Sequence, residues 1–184
     1  MVDPFSLRPL GALDLDRAAA LHAAAFVPLG ERGWTRQDLA GLLASPGVAG
    51  LLLVEAGMDI GVALWRIAAD QAELLTIAIR ADCRRAGAGH KLLAAAIDGA
   101  RVAGARTLFL EVGADNPAAR VLYERMGFRT VGERAAYYRR GERPPVVAAP
   151  RPRAANARPA RQASASRAFA GWGRRPRSPR RAAR

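Results

Sequence analysis

The stretch Glu73-Leu74-Leu75-Thr76-Ile77-Ala78-Ile79-Arg80-Ala81-Asp82-Cys83-Arg84-Arg85-Ala86-Gly87-Ala88-Gly89-His90-Lys91-Leu92-Leu93 changes its pattern twice. Residues 73–79 are a short, mostly apolar run with the length of a buried strand. From Lys91 to Val102 the apolar residues Leu92, Leu93, Ala96, Ile97 and Ala100 recur at the spacing of one helix face. Between the two lies Arg84-Arg85-Ala86-Gly87-Ala88-Gly89, an R-x-x-G-x-G loop. Small residues let a backbone approach a ligand closely, and the first N–H groups of a helix have no partner within it. Such a loop therefore suits an anion such as a pyrophosphate, with Arg84 and Arg85 adding charge. Glycine also serves merely to turn a chain from strand to helix, so the loop alone leaves both readings open. It lacks the Gly-Lys-Ser/Thr of a Walker loop and misses the dinucleotide spacing G-x-G-x-x-G, which argues against an NTPase or a dehydrogenase.

Working outward, the pattern keeps alternating. Upstream, Leu13 to Phe26 is an alanine-rich helical stretch with Asp14 and Asp16 at its start, where a helix dipole favours negative charge. Thr35-Arg36-Gln37-Asp38 sets an acid three residues after a capping threonine and predicts a second, short helix. Two apolar runs, Leu51 to Glu55 and Ile60 to Ile67, flank Ala56-Gly57-Met58-Asp59 and read as a hairpin. Downstream, Thr107 to Val112 is a strand. Asn116-Pro117 joins a capping side chain to a proline at the first helical position, and Gly127 is a natural stop. The strand Arg129 to Tyr138 closes the readable part, and no internal repeat is evident.

Bulk composition sets the frame for these elements. A chain of 184 residues with 51% hydrophobic and 24% charged residues has material for one domain with a sizeable core. No apolar run approaches the length of a membrane span, and Met1 to Leu10 lacks the layout of a secretory signal, so a cytoplasmic location and no membrane partner are expected. The single cysteine, Cys83, excludes an internal disulfide and offers no metal-ligand spacing. Net charge is +13, yet from Pro144 onward there are 11 arginines and no Asp, Glu or Lys, which leaves +2 for residues 1–143. The arginine-, proline- and alanine-rich tail, residues 150–184, has only Phe169 and Trp172 as aromatics and is expected to be disordered. Its charge suits non-specific contact with RNA.

In order and spacing, Leu74-Leu75-Thr76-Ile77-Ala78-Ile79, the R-x-x-G-x-G loop, Leu108-Phe109-Leu110-Glu111-Val112 and Asn116-Pro117-Ala118-Ala119-Arg120-Val121-Leu122-Tyr123-Glu124-Arg125-Met126-Gly127-Phe128 resemble the GNAT superfamily of N-acetyltransferases. The likeness covers about residues 5 to 140. Within the superfamily the chain resembles the RimI type, the ribosomal-protein alanine N-acetyltransferases, through Gly33-Trp34-Thr35, Leu110-Glu111-Val112 and Arg134-Ala135-Ala136-Tyr137-Tyr138. The resemblance implies a mixed α/β (α+β) fold with a strongly twisted, mostly antiparallel sheet and helices on both faces. That sheet would splay between Glu73–Ile79 and Thr107–Val112 to admit acetyl-CoA. The implied reaction moves an acetyl group from acetyl-CoA to an amine by direct attack, without a metal or an acyl-enzyme. Its implied acceptor is the N-terminal α-amine of a ribosomal protein.

Site residues follow from the same resemblance. The backbone of Ile77, Ala78 and Ile79 would pair with the pantetheine arm as an added strand. Arg84, Arg85, Ala86, Gly87, Ala88 and Gly89 would cradle the pyrophosphate, and Asn116 would touch the cofactor near its acetyl end. Glu111 matches the general base and Tyr123 the general acid that reprotonates the coenzyme thiolate. Glu73 is a rival base. Cys83 has no histidine beside it in sequence, and His22, His90, Trp34 and Trp65 read as structural residues. A lysine side chain or a small-molecule amine is the alternative acceptor, because a fold and a cofactor site do not fix the acceptor.

The chain departs from the family's pattern at its end. After the turn Arg139-Arg140-Gly141-Glu142-Arg143, two prolines leave only Val146-Val147-Ala148-Ala149 for a last strand, which makes residues 146–149 a marginal one. The catalytic domain is accordingly read as residues 1–143. The abrupt change in composition fits either an RNA-binding extension or an altered reading frame.

Overall fold

The computed structural model describes residues 3–84, 86–113, 116–133 and 146–150. In chain order the elements are β1 (Phe5–Pro9), α1 (Leu15–Phe26), α2 (Arg36–Leu43), β2 (Val48–Glu55), β3 (Met58–Ala68), β4 (Gln71–Ile79), α3 (Ala88–Val102), β5 (Thr107–Val112), α4 (Pro117–Arg125), β6 (Phe128–Glu133) and β7 (Val146–Pro150). All lie within one compact unit, Met1–Pro152. The sequence motif Arg134 to Tyr138 and the tail beyond Pro150 fall outside the described residues.

Local chemistry accounts for most boundaries. The Thr35 hydroxyl accepts the Asp38 N–H at 3.2 Å while the Asp38 carboxylate accepts the Thr35 N–H at 2.8 Å, a reciprocal cap that starts α2. Asn116 caps α4 by accepting the Ala119 N–H at 3.1 Å. The β2–β3 hairpin turns on Ala56 and Gly57, both at positive φ (48° and 78°), the hand that matches twisted strands. Its strands are longer than the apolar runs alone predict, because Val48, Ala49 and Gly50 also pair, with Arg66, Trp65 and Leu64.

Among the described residues, seven strands form one sheet in the order β1-β2-β3-β4-β5-β7-β6. Every neighbouring pair is antiparallel except β4 with β5. Helices cover both faces. On one, α1 and α2 bury Leu15, Ala18, Leu21 and Leu39 with Leu52, Val62 and Leu64 of the sheet. On the other, Leu92, Leu93, Ala96 and Ala100 of α3 and Tyr123 of α4 pack with Leu53, Trp65, Leu74, Leu108 and Leu110. Burying each such leucine contributes about 1.5–3 kcal/mol, so these two layers outweigh any surface ion pair. Gly99 of α3 is dictated by this packing: a Cβ there would meet the Trp65 ring at 2.7 Å.

Two irregularities in β4 shape the middle of the sheet. Leu64 pairs with Thr76 and Trp65 with Leu74, so Leu75 is an extra residue, a β-bulge. The parallel ladder to β5 runs from Gln71↔Thr107 to Leu74↔Leu110 and stops there. From the bulge onward β4 stays paired with β3 but has no strand on its β5 side, and the sheet parts. Bulges bend a strand and increase its twist, which is the physical reason the ladder ends where it does.

Residues Val146–Pro150 form a strand that lies between β5 and β6 instead of at a sheet edge. Val146, Val147 and Ala148 pair with Val112, Glu111 and Leu110 on one side, and the strand pairs with Phe128–Glu133 on the other. Pro150 stands at its end, where a missing N–H costs the ladder least.

Candidate functional site

The open edge of β4 can be read from one hydrogen bond. Arg80 N–H donates to the Ile60 carbonyl at 2.9 Å, and backbone groups alternate sides along an antiparallel strand. Arg80, Ala78 and Thr76 thus turn their backbone groups to β3, while Ile79 and Ile77 turn theirs to the open edge. Of the three residues expected to pair with a pantetheine arm, Ile77 offers its main-chain groups there and Ile79 its N–H, the Ile79 carbonyl being taken by Arg84. Ala78 is buried and its own groups are directed at β3.

The glycine loop closes the end of this edge. Arg84 Nε donates to the Ile79 carbonyl at 3.1 Å, so its side chain ties the loop back to β4 besides adding charge. Gly87 stands just before α3 at φ +88°, a left-handed conformation that favours glycine. The first helical bond is Lys91 N–H to the Gly87 carbonyl at 2.9 Å, so the N–H groups of Ala88, Gly89 and His90 precede it and are available to an anion. Gly89 has a different reason to be small: a Cβ would lie 3.3 Å from Leu122 of α4. Ala86 is exposed and Ala88 buried, while Arg85 lies outside the described residues.

Across the split, β5 and α4 carry the two groups suited to proton transfer. Leu108, Leu110 and Val112 point into the α3 layer, so the alternation of β5 sends Glu111, which is exposed, to the opposite face. Tyr123 is buried on the α3 side, its ring tilted against Phe128 at 5.7 Å. Burial pushes its phenol up to about 12, so it stays protonated at neutral pH. It lines a cavity of about 280 Å³ with Val112, Arg120, Glu124 and Phe128, on the β5–α4–β6 side of the split. Glu111 and Tyr123 therefore belong to opposite faces, and a reactant would have to lie through the opening to meet both. The Asn116 oxygen is engaged in capping α4, which leaves its amide N–H groups as the part suited to a cofactor.

The rival candidates resolve into distinct places. Glu73 lies in the zipped part of the sheet, paired in register with Phe109 and directly opposite Arg66, whose guanidinium is 3.7 Å from its carboxylate. His22 is buried and stacked between Phe26 (4.3 Å) and Trp34 (4.5 Å), and its Nδ1 accepts the Trp34 N–H at 3.1 Å. Burial lowers it to about 4, a neutral structural ring. Burial and the neighbouring Asp82 push the Cys83 thiol up, which makes it a poor nucleophile. His90 is exposed in the first turn of α3. Among the described residues no group of His, Cys, Asp and Glu could hold a metal ion, and no helix is long and apolar enough to cross a membrane.

The bulge at Leu75 was not apparent in the apolar run, and neither was the buried hydroxyl of Thr76 beside it. An uninterrupted run of strand-forming residues carries no local mark of an extra residue.

Comparison with known proteins agrees with this architecture. The sequence profile described as Acetyltransferase (GNAT) family matches residues 19–128. The [Ribosomal protein bS18]-alanine N-acetyltransferase of Escherichia coli strain K12 is 40% identical over 86 residues, which are 47% of this chain and 58% of that protein's length. The N-alpha-acetyltransferase RimI of Mycobacterium tuberculosis is 33% identical over 141 residues, 74% of this chain and 86% of that protein. The crystal structure of the Escherichia coli ribosomal-protein-S18-alanine N-acetyltransferase superposes with a TM-score of 0.71 at 29% identity, covering 79% of this chain and 92% of that one. A profile match across the split, the glycine loop and α4, joined to a relative aligned along most of the chain, places this protein in the GNAT family of acetyltransferases.

Proposed function

We propose that the protein transfers an acetyl group from acetyl-CoA to the N-terminal α-amine of a protein, a ribosomal protein being the substrate class its relatives suggest. The observation that carries the reading is the parting of β4 from β5 beside the open N-terminus of α3. An edge where Ile77 and the Ile79 N–H turn away from β3 suits the amide-bearing pantetheine arm, and the loop at Gly87 suits the pyrophosphate. Arg84, Gly89 and the amide of Asn116 would complete the cofactor's contacts.

The chemistry divides between the faces. An α-amine has a pKa near 8 and is mostly protonated at neutral pH, so it must lose a proton before its lone pair can attack the thioester carbonyl. Glu111, on the α1 face, takes that proton directly or through water. The tetrahedral intermediate collapses by breaking the C–S bond, and Tyr123, held protonated by burial, gives its proton to the leaving thiolate. An acceptor entering from the α1 face and a cofactor held on the α3 side would then meet in the opening. Acceptor recognition would then fall to α1, α2 and the loop between them. The cytoplasm supplies both reactants.

The deciding experiment incubates the full chain and acetyl-CoA with N-terminal peptides, lysine-containing peptides blocked at the α-amine, and free polyamines, with mass spectrometry of the products. Acetylation of an α-amine, strongest for an alanine start, is expected. Modification confined to lysine or polyamine would overturn the acceptor assignment.

A further inference from the structure

Among the described residues, two buried polar side-chain atoms in neutral residues have no hydrogen-bond partner: Trp65 Nε1 and Thr76 Oγ1. They differ in setting. Trp65 lies in the zipped half of the sheet with its ring against Gly99 of α3, away from the parted edge. Thr76 is 6% exposed and sits just past the bulge, two residues beyond the last rung joining β4 to β5.

The bulge decides which way Thr76 points. Leu74, before it, packs in the α3 layer, whereas Leu75 packs in the α1 layer. Beyond it, Ile77 and Ile79 return to the α3 layer and Ala78 to the α1 layer. Thr76, two residues from Ala78, therefore shares the α1 face with Leu75, since a bulge turns two successive side chains to one side. Glu111 stands on that same face, on the strand across the opening. A valine would fill the site with the same shape and strong strand propensity, and a hydroxyl buried without a partner loses its hydrogen bonds to water with nothing in return. A polar group kept at that cost, on the base's side of the only parted ladder described, calls for a partner that arrives from outside the chain.

We infer that the Thr76 hydroxyl is a substrate-positioning group that accepts a hydrogen bond from the attacking amine of the acceptor. The inference rests on the proposed acetyl transfer. A neutral amine that donates one N–H to Oγ1 keeps its lone pair free, and the bond fixes the direction of that lone pair relative to a thioester in the opening. Because the partner is the acceptor, the cofactor's affinity does not depend on it.

The test compares Thr76→Val and Thr76→Ser with the wild-type chain, using an N-terminal peptide acceptor and acetyl-CoA. Thr76→Val should lower kcat/KM for the peptide about tenfold, leave the KM for acetyl-CoA unchanged and leave Tm equal or higher. Thr76→Ser, which keeps the hydroxyl, should restore most of the peptide kcat/KM. Full kcat/KM in Thr76→Val, a serine variant no better than the valine one, or a fall in Tm that tracks the loss of activity would each overturn the inference. A wild-type chain that acetylates no amine would overturn the underlying reading, and an active wild type matched by Thr76→Val overturns this inference alone.

Discussion

The ion-pair ring near the N-terminus and the split at the middle of the sheet treat polar groups in opposite ways. In the ring, Arg8 donates to Asp14 at 2.7 Å and to Asp59 at 2.8 Å, and Arg17 reaches the same two carboxylates at 2.5 and 3.2 Å. Each charge meets two of the opposite sign, and the ring ties β1, the start of α1 and the start of β3 together. At the split, main-chain groups of Ile77 and Ile79 face an edge with no strand, the first N–H groups of α3 precede its ladder, and Thr76 Oγ1 has no partner. The contrast teaches that polar groups satisfied within the chain tie elements together, whereas those left open along the parted edge are the ones available to a ligand.

Breaking the split should cost activity and spare the fold. Tyr123→Phe removes only the proton donor and should lower kcat by about 10²-fold, with acetyl-CoA affinity nearly unchanged in a binding titration. Glu111→Gln should do most damage at low pH, with part of the loss returning as pH rises toward the amine's own pKa. Activity preserved across pH in either variant would remove that residue from the mechanism. The cofactor end is tested by Gly87→Val, which forces a branched side chain into φ +88° and should weaken acetyl-CoA binding about tenfold. Gly89→Ala, which asks only that Leu122 shift by a few tenths of an ångström, should do less.

Breaking the ring should do the reverse. The Arg8 guanidinium and the Gly11 N–H hold Asp14 down at about 2, below its ordinary 3.8, so its contribution to stability is complete above pH 3.8 and lost as pH falls through 2. Asp14→Asn should lower Tm by roughly 4 °C at pH 7 and flatten that acid limb, with kcat unchanged. His22 gives a second, separate window. Buried and neutral, it titrates near 4 instead of 6.5, so the unfolded chain binds more protons in that interval and stability declines as pH falls from 6.5 to 4. Thermal melts of His22→Gln should lack that decline and keep the one below pH 4.

What the sequence made legible was local. Thr35 with Asp38, Asn116 with Pro117, and Gly87 before α3 each act through neighbours within a few residues, and each stands in the expected cap or turn. The order of strands and the parting of β4 from β5 were legible only through the family resemblance, because nothing in Thr107–Val112 says which strand it joins. The bulge at Leu75 and the assignment of Glu111 and Tyr123 to opposite faces depend on register between distant strands. Arg84 illustrates the same limit: a loop arginine suggests a phosphate, and only the fold shows its Nε held by the Ile79 carbonyl.

The position of β7 has a consequence in time. The strand is the last of the seven to leave a ribosome, yet it fills a place between two strands made before it. Until residues 146–150 emerge, β5 and β6 have no rungs to join them, and the growing chain exposes two raw strand edges for as long as translation of the intervening residues takes. Closure of this half of the sheet is thus a late, long-range event, open to capture by chaperones or by a neighbouring nascent chain.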